Sequence, residues 1–355
     1  MIELHNRQDE DLAFMLRFEN VAWYQDGMVR ILDRRVYPVK TEFVECFSYV
    51  DVANAIKDMV TQSEGPYSAA AMGMVLAAYE FRNETDPQII IQKLKDAAFT
   101  LSHARPTTSE QMKGIVDGAV KVAEDKLKEE IIGKQLVDEL FQYAYGYMND
   151  NYRRYTIIGK NIADLIPDNG TILTQCFAGT VVGTMLRECK RLGKNVKVYC
   201  AETRPYYQGS RLTASVACDM GFDVTVISDN MPAYTMKAKH IDLFTSASDV
   251  ITMDGHVVNK VGTFQIALAA KYFGIPYYCT GTPDLAHPDM SSVEIEERNP
   301  QQVLESFGQR ITMDGVHGYY PAFDVTPPEL ITGIVTDIGT YRPEEVHRYF
   351  EDKKC

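Results

Sequence analysis

Residues 170–193 read GTILTQCFAGTVVGTMLRECKRLG. A short apolar, β-branched run from Thr171 to Thr174 leads to Cys176. A small, glycine-punctuated turn follows, and helical spacing then runs on to Gly193. Strand, turn and helix in that order recur after Asp150. The strand-like runs are GTILTQC, VKVYCAE, DVTVIS, DVITM, IPYYCTG and LITGIVTD. The helix-like runs between them are VVGTMLRECKRLG, GSRLTASVACDMG, MPAYTMKAKH and GTFQIALAAKYFG. This alternation predicts a parallel sheet with helices on both faces. Gly193, Gly221 and Gly274 stand where such helices need a left-handed closing residue. Cys176 then falls at the carboxyl end of a strand, where open α/β sheets bind ligands. Nearby helix N-terminal amides are able to lower a thiol pKa there.

Residues 1 to about 150 read differently. In FENVAWYQDGMVRILDRRVYP, Asp26-Gly27 between aromatic and β-branched runs signals a hairpin. SYVDVANAIKDMV has apolar residues at three- and four-residue spacing, a helix. PYSAAAMGMVLAAYEF is apolar on most faces and predicts a buried helix. DPQIIIQKLKDAAFTLSHA starts with Asp86 and Pro87 as helix-opening residues. The charged stretch from Ser109 to about Asn149 reads as one or two more helices. The predicted class is α/β: an N-terminal mainly helical domain with a small antiparallel sheet (1–150), and a C-terminal Rossmann-like parallel-sheet domain (151–355).

Composition bounds the function. The 355 residues suffice for two domains, and 45% hydrophobic with 24% charged residues is the balance of a soluble globular protein. A net charge of −13 argues against a nucleic-acid partner but not against a small anion in a locally basic pocket. Cys46, Cys176, Cys189, Cys200, Cys218, Cys279 and Cys355 are odd in number, irregularly spaced and without zinc-ligand spacing. They read as reduced thiols of a cytoplasmic chain. The acidic, polar start MIELHNRQDEDLAF is not a signal peptide. No apolar run approaches the roughly 20 residues that span a bilayer.

Two loops gather polar chemistry. AETRPYYQGSRLTA (201–214) presents Glu202, Arg204, Gln208 and Arg211 at a strand end. Arg and Gln suit an anionic or polyhydroxylated ligand, and the same spacing also suits a salt-bridged Arg–Glu loop. SASDVITMDGHVVNKVGTFQ (246–265) offers Asp249, Asp254, His256, Asn259 and Lys260. Its Asn-Lys-Val-Gly-Thr run before a helix suits an anion held by a cation, an amide and helix N-terminal N–H groups. Asp249 and Asp254 equally suit turn capping, and His256 has no evident partner in the sequence. The cysteines other than Cys176 read as small buried hydrophobes, with Cys279 at a strand end, in position to line the crevice.

Taken together, TQCFAGT, AETRPYYQGSRLTA, the ten-residue step from Asp249 to Asn259-Lys260, NKVGTFQIALAAKYFGIPYY, IEERNP and PAFDVTPPELITGIVTDIGTYRPE resemble one family. They are similar to the methylthioribose-1-phosphate isomerases, within the larger family that includes regulatory subunits of translation initiation factor 2B. VAWYQDGMVRILDRRVYP and HARPTT fit as well, so the resemblance spans residues 18 to 345. It implies an enzyme, a cytoplasmic homodimer acting on a small sugar phosphate in methionine salvage. The reaction takes the ring aldose 5-methylthioribose 1-phosphate to the open-chain ketose 5-methylthioribulose 1-phosphate, with no metal or organic cofactor. By position, the resemblance makes Cys176 the catalytic thiol and Asp249 the catalytic acid. Substrate contacts fall to Arg105, Gln208, Asn259 and Lys260, in a cleft between the two domains. An acid of this kind needs a raised pKa, as burial in an apolar pocket supplies.

The chain departs from the family pattern around this site. Gln62-Ser63-Glu64-Gly65-Pro66 stands where the family has an Arg-Gly-Ala-Pro stretch whose arginine holds the phosphate. Phe177 replaces an asparagine, Ser246-Ala247-Ser248 precedes Asp249, Val250 replaces an arginine, Asp254 stands for an asparagine, and His256 stands where an aspartate is common. These changes keep two alternatives open. One is a paralogous isomerase of another pentose derivative, such as 5-deoxyribose 1-phosphate or ribose 1,5-bisphosphate. The other is a non-catalytic sensing protein like the initiation-factor subunits.

Overall fold

The computed structural model describes residues 6–105 and 109–354. Pro106, Thr107 and Thr108 of the HARPTT motif, Cys355 and the first five residues of the N-terminal stretch lie outside them. The chain divides into two compact units, 1–153 and 154–355.

The first unit opens with a short helix α1 (Phe18–Val21) and the hairpin β1 (Trp23–Gln25) and β2 (Met28–Leu32), joined to β3 (Phe43–Cys46). Gln25 pairs with Met28, so Asp26 (φ 49°) and Gly27 (φ 87°) form a two-residue turn with both residues left-handed. Helix α2 (Tyr49–Lys57) begins at a capping box in which Ser48 accepts from the Asp51 N–H and Asp51 from the Ser48 N–H. Helix α3 (Gly65–Glu80) is buried on almost every face, as its small-residue sequence predicts. Helix α4 (Pro87–Ser102) is capped by Asp86, which accepts from the Gln88 N–H at 2.8 Å. Helices α5 (Ser109–Lys128) and α6 (Gly133–Leu165) complete the helical part. The charged segment is thus two helices, and the second continues well past Asn149. Its long run of tyrosines and alternating charge carries no breaker before Pro167.

In the second unit, β4 (Thr171–Thr174) leads to α7 (Thr180–Arg191), β5 (Lys197–Ala201), a π-helical turn (Gly209–Thr213), α8 (Ala214–Asp219) and β6 (Asp223–Ile227). Then come α9 (Pro232–Lys239), β7 (Leu243–Ala247), β8 (Val250–Ile251), β9 (Val257–Lys260), α10 (Thr263–Phe273) and β10 (Tyr277–Thr280). A short helix α11 (Gln301–Leu304) precedes the hairpin β11 (Glu305–Ser306) and β12 (Gln309–Arg310). After it come β13 (Phe323–Thr326), β14 (Gly333–Val335), β15 (Thr340–Tyr341) and α12 (Tyr349–Asp352). The main sheet has the order β15-β14-β10-β7-β4-β5-β6 and is parallel except for β15. Leu173, Phe244, Ile266, Tyr277 and Ile334 build the core against it. Gly193, Gly221 and Gly274 all have positive φ at helix ends.

One expected strand moves. DVITM is not a strand of the main sheet; only Val250–Ile251 extend, and they pair antiparallel with β9 in a small sheet β13-β9-β8. The parallel strand at that place is Leu243–Ala247, whose Thr245 and Ser246 are buried. Ser246 is satisfied there by the Tyr277 hydroxyl at 2.8 Å. Buried hydroxyls break the apolar run by which such a strand is recognised in a sequence.

Candidate active site

From β4 the chain passes to β5 and β6 on one side, then returns to β7, β10 and β14 on the other. The order reverses between β4 and β7, and crevices of open sheets form beside such a reversal, outside the carboxyl ends. Cys176 follows β4 by two residues and Asp249 follows β7 by two.

Cys176 is left-handed, with φ 61°, a conformation uncommon outside glycine. Its N–H donates to Thr203 Oγ1 at 2.8 Å, and Thr213 Oγ1 donates to its carbonyl. Thr203 is itself left-handed (φ 62°), and the carboxylate of Asp229 accepts from the Thr203 and Arg204 N–H groups at 2.7 Å each. Gly209 lets this loop close: a Cβ there would lie 1.9 Å from the Ala201 carbonyl oxygen. The one segment between β5 and α8 thus holds the cysteine from both sides of its residue.

Gln208, buried at the start of the π-helical turn, directs Nε2 at Cys176 Sγ from 3.5 Å. Lys260 is buried at the end of β9. Its Nζ donates to the Ala322 carbonyl at 2.8 Å and lies 4.3 Å from the Phe323 ring centroid. Asn259, also buried, donates to Thr263 Oγ1 at 3.0 Å. Gln175 Nε2 donates to the Lys260 carbonyl at 3.1 Å, tying the residue before the cysteine to the Asn-Lys turn.

The electrostatics run against the first expectation for the thiol. Burial pushes the Cys176 pKa up, and the Asp249 charge pushes the same way. The Lys260 cation, the Gln208 amide and the Phe177 N–H pull it down but do not prevail. Cys176 is therefore a thiol at neutral pH. Lys260 is pushed down by burial and by the Arg298 charge, and supported by Cys176, Asp249 and Glu296. Asp249 therefore lies within electrostatic range of both. It is exposed, so the apolar burial expected of the catalytic acid is not met: the residue sits in the open turn between β7 and β8.

Other expectations are revised. The N–H groups at the start of α10 are not open to an external anion, because the carboxylate of Asp324 accepts from Gly262 at 2.6 Å and from Phe264 at 3.2 Å. His256 does have a partner, with Nδ1 3.0 Å from Asp254 Oδ1. Arg204 makes no salt bridge to Glu202 among the described residues. It donates to the Glu305 carbonyl at 2.8 Å and to the Tyr207 hydroxyl at 2.6 Å. Arg211 bonds the Tyr206 carbonyl. Cys279 is wholly buried and pushed up to about 12 by burial, a core residue.

The second unit by itself thus brings Cys176, Gln208, Lys260 and Asp249 together, with Asn259 alongside Lys260. Arg105 belongs to the first unit, where it follows α4 and is partly buried. That unit also answers the question of the missing arginine beside Gln62. Arg34, fully buried at the end of β2, donates from Nη1 to the Gln62 carbonyl at 2.6 Å and from Nη2 to the Met15 carbonyl at 3.3 Å. Thr203, Asp229, Tyr320 and Asp324 escaped notice as site residues, because each acts on partners distant in sequence. Among the described residues, no group of three or more His, Cys, Asp or Glu side chains is arranged to hold a metal, and no helix is long and apolar enough to cross a membrane.

The family model described as the initiation factor 2 subunit family matches residues 61–343. The methylthioribose-1-phosphate isomerase of Petrotoga mobilis is 37% identical over 337 residues, covering 91% of this chain and 95% of that protein. The enzyme of the same name from Thermosipho africanus is 36% identical over 351 residues, covering 95% and 99%. Among solved structures, 5-methylthioribose 1-phosphate isomerase from Pyrococcus horikoshii OT3 matches with a TM-score of 0.85 and 28% identity, over 99% of each chain. The delta subunit of translation initiation factor eIF-2B from A. fulgidus matches with a TM-score of 0.78 and 31% identity, over 92% of this chain and 96% of that one. The chain belongs to the initiation factor 2 subunit family, on the side of it that holds the methylthioribose-1-phosphate isomerases.

Proposed function

We propose that this protein is an aldose–ketose isomerase that converts 5-methylthioribose 1-phosphate into 5-methylthioribulose 1-phosphate. The observation that carries the reading is the grouping of Cys176, Gln208, Lys260 and Asp249 beside the reversal of strand order. The phosphate caps the anomeric oxygen, so the ring cannot open as a free hemiacetal does. Asp249 gives a proton to the ring oxygen as its bond to C1 breaks. Hydrogen then passes from C2 to C1 while the C2 hydroxyl loses its proton and becomes the carbonyl. Cys176, kept protonated by burial, serves this step as a neutral hydrogen-bond donor or proton carrier rather than as a nucleophile. Gln208, Lys260, Asn259 and Arg105 bind the substrate in this reading. The enzyme is a cytoplasmic homodimer working on a free sugar phosphate, and its oligomeric state is read by sedimentation.

The test is turnover of 5-methylthioribose 1-phosphate, followed by NMR, in wild type, Cys176→Ser and Asp249→Asn. Both variants are expected to fold and to lose turnover; wild-type rates in both would remove the assigned roles. Gln62 and Phe177 favour a second reading, an isomerase of another pentose derivative. A panel of 5-deoxyribose 1-phosphate, ribose 1,5-bisphosphate and unphosphorylated sugars separates the two, and tight binding without turnover of any sugar would point to a sensor.

A further inference from the structure

Tyr320 lies directly before the strand that carries the Lys260 partners. Its carbonyl accepts from the Arg298 N–H at 2.9 Å, and Pro321 bridges to Glu297, so the backbone is pinned on both sides. Two residues on, the Ala322 carbonyl holds Lys260 Nζ. The side chain is 3% exposed, and its hydroxyl donates no hydrogen bond among the described residues. Arg298 acts on the phenol oxygen by its charge and as a hydrogen-bonding neighbour, while its closest N–H contacts go to Glu296 at 2.8 and 3.2 Å, so the phenol O–H is left to donate elsewhere. The charge of Cys176 reaches the phenol too, and both neighbour Lys260: Ala322, two residues after Tyr320, holds its Nζ, and Gln175, the residue before the cysteine, bonds its carbonyl.

A second orphan lies on the same sulfur. Gln208 spends Nε2 on Cys176, while its Oε1 is buried without a partner among the described residues. A buried polar atom left unpaired costs stability, so native chains hold few of them without a use. Here two stand around one thiol, one an acceptor and one a donor. Burial pushes the phenol up to about 12, so it keeps its proton at any physiological pH. A donor and an acceptor beside a neutral thiol match an alcohol, which gives one hydrogen bond and takes another. The Gln208 Oε1 acceptor does not match an ionised phosphate, which has only acceptors to offer.

We propose that the Tyr320 hydroxyl is a substrate-binding group which, with Gln208 Oε1, reads a ring hydroxyl of the pentose. This rests on the isomerase reading above and deepens it: the site selects a hydroxylated pentose over its deoxy analogue through these two side chains. A site built to bond a hydroxyl rejects the analogue that lacks it, because its own polar atoms are then left unpaired.

Binding of ribose 1-phosphate and of its 2-deoxy and 3-deoxy analogues is measured by calorimetry for wild type, Tyr320→Phe and Gln208→Met. Tyr320→Phe keeps the buried ring and removes one orphan oxygen, so its melting temperature is expected to equal or exceed that of wild type. It is expected to weaken ribose 1-phosphate by about tenfold to a hundredfold while leaving one deoxy analogue unchanged. Gln208→Met is expected to single out the same analogue. Equal losses for all three sugars, or no loss, overturn the proposal. Wild-type binding of 5-methylthioribose 1-phosphate, measured in the same series, reads the isomerase function separately. Its absence beside a hydroxyl-dependent loss for ribose 1-phosphate would overturn that function and keep Tyr320 in its role. A wild type that binds none of these sugars overturns both.

Discussion

Among the described residues each unit of this chain has one buried cation, and the two are used in opposite ways. Arg34 in the first unit is 2% exposed, and its guanidinium donates to two main-chain carbonyls, those of Gln62 and Met15. Its own N–H is fixed to the Val60 carbonyl. Burial pulls its pKa down, and only Tyr152 and Glu64 act the other way. Lys260 in the second unit is 4% exposed and spends one bond on a carbonyl, that of Ala322. Its remaining field comes from the Arg298 charge, which opposes it, and from a thiol and two carboxylates, Cys176, Asp249 and Glu296, which support it. A guanidinium with its donors in a fixed fork suits the first task, tying its own segment to two others through the Gln62 and Met15 carbonyls. A compact ammonium beside titratable groups suits the second, taking part in chemistry. The difference teaches that burial alone does not mark a functional cation; the groups facing it do.

The largest effect expected is on the chemistry around Lys260. Cys176→Ser and Asp249→Asn are each expected to lower kcat/KM for 5-methylthioribose 1-phosphate by about 10²–10⁴-fold, with melting temperatures close to wild type. A residual rate within a few-fold of wild type would detach the thiol and the carboxylate from the cation they surround. Next comes the direct contrast of the two cations. Lys260→Met is expected to cost about 10²-fold or more in kcat/KM while stability holds or rises, since an apolar isostere removes a buried charge. Arg34→Met is expected to cost about 3–5 kcal/mol of unfolding free energy, because it orphans buried carbonyls and the charge pattern set around them. Urea unfolding and steady-state kinetics on the same preparations decide it. A stable, inactive Arg34→Met would break the comparison and make Arg34 a functional cation as well.

How legible this was in the sequence follows from how local each signal is. The strand-turn-helix around Cys176, the Asp26-Gly27 hairpin, the buried small-residue helix and the left-handed Gly193, Gly221 and Gly274 rest on neighbours a few residues apart. Each of them stands in the structure where periodicity and turn chemistry put it. Strand β7 was hidden because Thr245 and Ser246 interrupt its apolar run, and the Tyr277 hydroxyl that meets Ser246 is brought there by the tertiary fold. The site was legible as chemistry-bearing motifs, but its electrostatics were not. The thiol is raised, not lowered, because burial by segments far apart in sequence outweighs any helix N-terminus. Arg34 beside Gln62, 28 residues away, and Asp324 on the Gly262 turn, 62 residues away, have no local pattern to announce them.

The smallest effect expected concerns an anion, and it tests the same rule from the other sign. Asp324 closes the start of α10, accepting from Gly262 and Phe264, yet burial outweighs those bonds and the nearby Lys260 and raises its pKa to about 6. The unfolded chain gives it up near the ordinary carboxyl value of about 3.9. Between those values the folded state holds more protons than the unfolded one, so stability falls as pH rises through this window. The penalty is absent below about pH 4 and complete above about pH 6, where it amounts to about 3 kcal/mol. Asp324→Asn keeps an accepting oxygen for the two N–H groups and removes the titration. The stability of wild type minus that of Asp324→Asn is therefore expected to fall between pH 4 and pH 7, measured by urea unfolding at each pH. A difference that stays flat would mean that the Gly262 and Phe264 bonds, not burial, govern this carboxylate. It would then be a structural anion held by the main chain, as Arg34 is a structural cation.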